Sequence, residues 1–162
     1  MKAAVLTVSD RSSRGERADA SGPALSEALA ALGFRVTLAP PVADERAEIA
    51  ARLRELATSH DLVVTTGGTG LSPRDVTPEA TRDVIDREAA GLAEEMRRRS
   101  VAVTPRAILS RGVAGTIGRC LVLNLPGNPT GAVECLSFVA PVLAHAVKVL
   151  GGGVRDCKDE LE

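Results

Sequence analysis

Tryptophan and tyrosine are absent from this 162-residue chain, and phenylalanine occurs only twice. Without aromatic side chains there is no platform on which single-stranded bases could stack. A basic excess is missing too, since 20 Lys and Arg face 21 Asp and Glu for a net charge of -1. That balance argues against a sequence-independent nucleic-acid binder, which relies on a positive surface. Cysteine is scarce, and Cys120, Cys135 and Cys157 lie too far apart for CxxC or zinc-ligand spacing. The first two stand in apolar segments and read as small core residues. Cys157 stands in a polar tail and reads as a free thiol, which fits a reducing compartment. No apolar run reaches membrane-spanning length, and residues 1–8 are too short for a signal h-region. These absences predict a soluble cytoplasmic protein with no nucleic-acid and no membrane partner.

What is present suits one folded domain with a real core: 44% of residues are hydrophobic and 25% charged. We expect it to span residues 1–152, leaving a charged tail, 153–162, to be disordered. Residues 3–9 are apolar and β-branched, hence a buried strand, and residues 10–20 read as a loop. Ser21 can cap a helix carrying Leu25, Ala28, Leu29 and Leu32, which Gly33 stops. A strand over 34–39 is ended by Pro40-Pro41, and a second amphipathic helix with Ile49, Leu53 and Leu56 follows Asp44. Residues 61–66 form a third strand. Thr77-Pro78 opens another helix with Thr77 as its cap, and 91–99 a further one ending in Arg97-Arg98-Arg99, a solvated terminus. Strands over 113–117 and 120–125 precede a long apolar helix, 132–150, which Pro141 bends or splits. The alternation implies a three-layer α/β/α domain with a mostly parallel central sheet.

In such folds ligands sit beyond the carboxyl ends of the strands. Four polar loops occupy those places: one starting at Ser9, one holding Asp44, one spanning 66–75 and one spanning 124–128. The third, with Thr66, Gly67, Gly68, Thr69, Gly70 and Asp75, lacks both the Walker A lysine and the Rossmann spacing. Its glycines serve either turn geometry alone or the approach of backbone N–H groups to an anion, and its threonines add hydroxyl donors. Asp44 is either a helix cap or a ligand; Asp75, two residues before Thr77, is a less natural cap. A carboxylate about 4 Å from a phosphate charge costs roughly 4 kcal/mol at an effective dielectric near 20. Acids lining a phosphate site therefore imply a bridging cation, Mg²⁺ with retained waters. Ser110 is a ligand hydroxyl or a turn residue, and Pro126, Gly127 and Asn128 form either a rigid turn or a contact loop. His60 and His145 fall outside these loops, which disfavours histidine-based covalent catalysis.

The run from Thr66 through Gly67-Gly68-Thr69-Gly70 to Asp75-Val76-Thr77-Pro78-Glu79-Ala80-Thr81 resembles the MoaB/Mog domain of molybdenum-cofactor biosynthesis. Thr7-Val8-Ser9-Asp10-Arg11, Ile108-Leu109-Ser110-Arg111 and Asn124-Leu125-Pro126-Gly127-Asn128-Pro129 agree in the same order, so the resemblance covers about residues 2 to 150. Within that family the chain is most similar to the molybdopterin adenylyltransferases. The resemblance implies a homotrimer that joins the terminal phosphate of molybdopterin to the AMP moiety of ATP, with Mg²⁺ required and pyrophosphate leaving. It maps two essential, metal-holding aspartates onto Asp44 and Asp75. Its pterin-binding loop falls on Gly67, Gly68, Thr69 and Gly70, and its second loop on Pro126, Gly127 and Asn128. A partner protein for molybdenum insertion is left open. A non-catalytic MoaB-type pterin carrier and a nucleotide pyrophosphatase akin to the competence-damage proteins are the competing readings.

Overall fold

Strand β1 (Lys2–Val8) is buried at every residue after Lys2, as the continuous apolar run of a centrally placed parallel strand demands. The computed structural model describes residues 1–153, so all of the expected tail after Gly153, Cys157 included, lies outside the described residues. Around β1 the chain builds a six-stranded sheet in the order β2-β1-β3-β6-β5-β4. Its strands are β2 (Arg35–Val42), β3 (Leu62–Thr66), β4 (Arg87–Glu88), β5 (Ala114–Ile117) and β6 (Cys120–Leu125). The first four in that order run parallel, and β5 pairs antiparallel with both β6 and β4. Successive strand residues face opposite ways, and two cores follow. Ala3, Val5, Leu62, Val64, Leu121 and Leu123 pack under α2 (Ser21–Ala31), α5 (Ala90–Val103) and α6 (Pro129–Leu150). Ala4, Leu6, Val63 and Val122 pack under α3 (Arg46–Ala57) and α4 (Thr77–Arg82). The expected mostly parallel, three-layered α/β architecture is the one observed.

Several local expectations are corrected. Residues 10–20 are not all loop: α1 (Asp10–Ser13) is a single turn in which the Ser9 hydroxyl accepts from the Ser12 N–H. Ser21 does not cap α2; the Asp19 carboxylate does, accepting from the N–H groups of Ser21 and Gly22 at 3.1 and 3.0 Å. Pro40 and Pro41 lie inside β2 rather than ending it. An edge strand tolerates a missing donor, and the pairing with β1 slips where the prolines sit, from Leu6↔Ala39 to Val8↔Val42. Helix α5 runs to Val103, beyond the arginines, and a 3₁₀ turn follows at Pro105–Leu109.

Helix α6 starts at Pro129, earlier than expected, because the Asn128 side chain accepts from the Gly131 N–H at 3.1 Å and Pro129 suits the first helical position. It continues through Pro141 unbroken. An interior proline costs about 3 kcal/mol, and here the buried stripe of Leu136, Val139, Leu143 and Val147 offsets it. At 22 residues this helix is also long and apolar enough to cross a membrane by length and composition, against the sequence expectation. Scattered polar residues such as Glu134 and His145 hide that length from a search for uninterrupted runs. Its buried stripe packs on the sheet, α2 and α5.

Candidate functional site

Because β1, β2, β3 and β6 are mutually parallel, the four polar loops leave the sheet at one edge. The glycine loop is the centre of that edge. Gly67 and Gly68 have φ of 102° and 65°, a region that side-chain-bearing residues avoid. Space forbids a side chain as firmly as torsion does. A Cβ on Gly67 would stand 2.3 Å from the Val8 carbonyl oxygen. One on Gly68 would stand 2.3 Å from Thr77 Oγ1 and 3.1 Å from Asp44 Oδ1, and one on Gly70 2.8 Å from Asp75 Oδ2. The glycines therefore bring bare backbone against both aspartates, beyond what a turn needs.

Hydrogen bonds hold that backbone from below. Thr77, expected to cap α4, is its first residue instead; its Oγ1 donates to Gly67 O at 2.9 Å and its N–H to Gly68 O at 3.1 Å. The Thr66 hydroxyl is committed to Pro126 O at 2.8 Å. Thr65 Oγ1 accepts from Asn124 Nδ2 at 3.0 Å. Thr69 is buried, and its carbonyl accepts from the Arg111 N–H at 2.9 Å. These threonines build the loop more than they offer free donors.

Asp44 does not cap α3, whose N-cap is Glu45 with no side-chain bond. It is joined to Asp10 in a reciprocal pair: Asp44 Oδ2 accepts from the Asp10 N–H at 2.8 Å, and Asp10 Oδ1 from the Asp44 N–H at 3.0 Å. Burial, then the charges of Asp10 and Asp75, push the Asp44 carboxyl above its ordinary range, against the lowering bond from the Asp10 amide. The Arg74 guanidinium beside Asp10, with the Asp44 amide, holds the Asp10 carboxyl below its range. Asp75 Oδ2 accepts from the Ser72 N–H at 3.0 Å. A divalent cation fits this donor set. Half-buried Asp44 carries a charge that its surroundings oppose and a nearby cation would favour, while Asp10 is already paired with an arginine. Among the described residues no group of three or more His, Cys, Asp or Glu forms a metal cage. Mg²⁺ needs none, since it commonly takes one or two carboxylates and completes its shell with phosphate and water.

Sequence reasoning missed Arg111. Its side chain donates to Gly70 O at 2.7 Å and Asp75 O at 2.5 Å and pairs with Glu79, so one half-buried guanidinium buckles the glycine loop to α4. The only sequence signal was its place after Ser110, among residues read for the hydroxyl. Arg97, read as solvated, donates to Ser110 O and Gly112 O at 2.8 and 3.1 Å. Arg98 and Arg99 do pair at the surface, with Glu95, whose carboxyl they pull down to about 2. Buried Asn124 is a hub, donating to Thr65 and Thr81 hydroxyls and accepting from the Val113 N–H.

The remaining candidates line two cavities that share Asn128. A polar one of about 320 Å³ takes in Ser9, Thr66, Gly67 and Gly127, with Arg17 also in its lining. A more apolar one of about 150 Å³ takes in Ser110 and Pro126, with Met96 and Arg97. Gly68, Thr69 and Gly70 line neither, and nor do Asp44 and Asp75, which stand against the glycine loop. Cys120 and Cys135 are buried, and burial pushes the Cys120 thiol up to about 12, so neither offers a nucleophile there. His60 is held at Leu56 O and Thr37 Oγ1, at the other end of β2.

Known proteins are similar to this chain in sequence and in fold. The family described as probable molybdopterin binding domain matches residues 4–145. A Helicobacter pylori (strain J99) protein named molybdopterin adenylyltransferase is 43% identical over 96% of this chain and 91% of its own length. The protein of that name from Escherichia coli K12 is 44% identical over 91% of this chain and 77% of its own. Among solved structures, that of the molybdopterin biosynthesis enzyme MoaB from Thermus thermophilus is 52% identical, with a TM-score of 0.87 over 93% of this chain and 96% of that one. With matches spanning nearly its whole length in sequence and in fold, the chain belongs to the molybdopterin-binding domain family of molybdenum-cofactor biosynthesis.

Proposed function

We propose that this chain is a molybdopterin adenylyltransferase, joining the terminal phosphate of molybdopterin to the AMP moiety of ATP with release of pyrophosphate. The observation that carries the reading is the convergence of Asp44 and Asp75, from the loops after β2 and β3, on one glycine loop, Asp44 against Gly68 and Asp75 against Gly70. The names of its relatives agree with it. The attacking phosphate is already ionised, so no general base is needed, and the absence of histidine from the four loops fits. What the reaction requires is in-line positioning and relief of charge at the α-phosphate. The glycine backbone and the Gly127 loop would hold anionic groups, and Asp44 and Asp75 would hold Mg²⁺. When bound, that ion would neutralise charge shared between phosphates and carboxylates.

Incubation with molybdopterin, ATP and Mg²⁺ is expected to give adenylylated molybdopterin, separable by chromatography, only when all three are present. Excess chelator should stop it. Pterin bound but unchanged would replace this reading with the MoaB-type carrier, and ATP cleaved without pterin with the pyrophosphatase.

A homotrimer belongs to the same reading. Val142 and Val149 stay 48% and 41% exposed on the outer face of α6, and Ile108 and Leu109 are exposed beside α5, which is apolar surface that a subunit interface would cover. Sedimentation at micromolar concentration is expected to give three chain masses; a single chain mass would remove the trimer.

A further inference from the structure

Arg74 follows the glycines and immediately precedes Asp75, yet its side chain reaches away to the loops on the far side of the site. Nε and Nη2 fork onto Asp10 Oδ2 and Oδ1 at 3.0 and 2.9 Å, and Nη1 lies 2.8 Å from Glu45 Oε1. Asp10 stands after β1, Glu45 after β2 and Arg74 after β3. One guanidinium therefore ties together the segments that follow three neighbouring strands. Its consequence passes through Asp10 to the reciprocal pair with Asp44, in which each residue's amide is bonded to the other's carboxylate.

Stability gives little reason for such a device. Arg74 and Glu45 are more than half exposed, and ion pairs that wet contribute little to folding. Geometry gives a better one. A forked Arg–carboxylate pair fixes the orientation of the carboxylate as a point charge cannot. Turning Asp10 would release the Asp44 N–H, and shifting its backbone would release Asp44 Oδ2. Arg74 is covalently next to Asp75, so the same fork sets how far the Asp75 loop stands from Asp44.

We propose that Arg74 and Asp10 are positioning residues, a brace that fixes the Asp44 and Asp75 carboxylates relative to each other, and this rests on the adenylyl-transfer reading of that pair. Neither touches the reacting atoms. Arg74 acts by holding Asp10, and Asp10 by holding Asp44.

The test combines amide hydrogen exchange on the ligand-free protein with steady-state kinetics, for Arg74→Gln, Arg74→Lys and Asp10→Asn. In Arg74→Gln the Asp10 and Asp44 amides should exchange at least about tenfold faster, with β1 and β3 core amides unchanged. Its kcat should fall about 10- to 100-fold while KM for molybdopterin stays within about twofold. Arg74→Lys keeps the charge without the fork and should recover only part of both readouts. Asp10→Asn keeps an acceptor for the Asp44 N–H, loses the ion pair, and should resemble Arg74→Gln in kcat. Unchanged exchange at Asp10 and Asp44 would overturn the proposal. So would a rise in KM for ATP at constant kcat, which would make Arg74 a phosphate ligand. Exchange is read without substrate, so failure of the brace and failure of the adenylyl-transfer reading appear in different measurements.

Discussion

Asp44→Asn and Asp75→Asn are each expected to fold and to lose adenylyl transfer by at least about a thousandfold in kcat. The substitution keeps shape and hydrogen bonding almost whole. An asparagine at 44 still offers an oxygen to the Asp10 N–H, now met at 2.8 Å, and one at 75 still serves the Ser72 N–H, met at 3.0 Å. What disappears is negative charge at the place where a cation must be held between protein and phosphate. The two losses should not add, since either removal disables the same unit. Turnover within tenfold of wild type in either variant would remove that residue from the proposed role.

The same substitution at 44 carries an opposite expectation for stability. Folding raises this carboxyl above its ordinary value near 3.8, chiefly by burial, so the ionised side chain penalises the native state. The penalty is full once pH exceeds the raised value and vanishes below the unfolded one. Asp44→Asn should therefore melt at or slightly above wild type at pH 7. The margin should close as pH drops below about 4. A variant melting well below wild type at pH 7 would mean that Asp44 is held for the fold, not against it.

The parts of this site legible in sequence are the local ones. Gly67, Gly68 and Gly70 with Asp75 form a contiguous signal, and strand–helix alternation is enough to put Asp44 and the loop at residues 126–128 on the same edge. The parts not legible depend on partners far away in the chain. Arg111 braces Gly70 and Asp75 across 41 and 36 residues, and Arg74 reaches Asp10 across 64. No spacing rule reports such pairs, since fold geometry alone brings them together. Asn124 shows the same limit: the sequence places it at the start of a polar loop, whereas it is buried within β6, where the neighbouring Thr65 and Thr81 hydroxyls make it a hub. Pro40-Pro41 misled for another reason. Proline ends a strand where its missing N–H is needed, and only the sheet order reveals that β2 is an edge.

Three glycine-to-alanine substitutions should separate backbone strain, backbone collision and site geometry. Gly15 has φ of 72° with nothing within 4 Å of an added Cβ, so Gly15→Ala should cost only the torsional strain, about 1 kcal/mol. Gly67→Ala adds a collision at 2.3 Å with the carbonyl of Val8, at the end of a buried strand. The loop cannot retreat freely, because Gly67 N–H is bonded to Leu125 O and the Gly127 loop packs against its Cα. Strain and overpacking together should cost about 2–5 kcal/mol, a large share of a typical domain's stability. Gly70→Ala meets only the Asp75 carboxylate at 2.8 Å, with no positive φ to oppose it. A side chain can swing where a backbone carbonyl cannot, so this variant should unfold within about 1 kcal/mol of wild type. Its turnover should nevertheless fall at least about a hundredfold, because the displaced group is the carboxylate that must hold the cation. Urea unfolding and turnover measured on the same three proteins give the comparison. If Gly70→Ala loses stability as Gly67→Ala does, or keeps its turnover, then the closeness of the glycine backbone to Asp75 serves the fold and not the reaction.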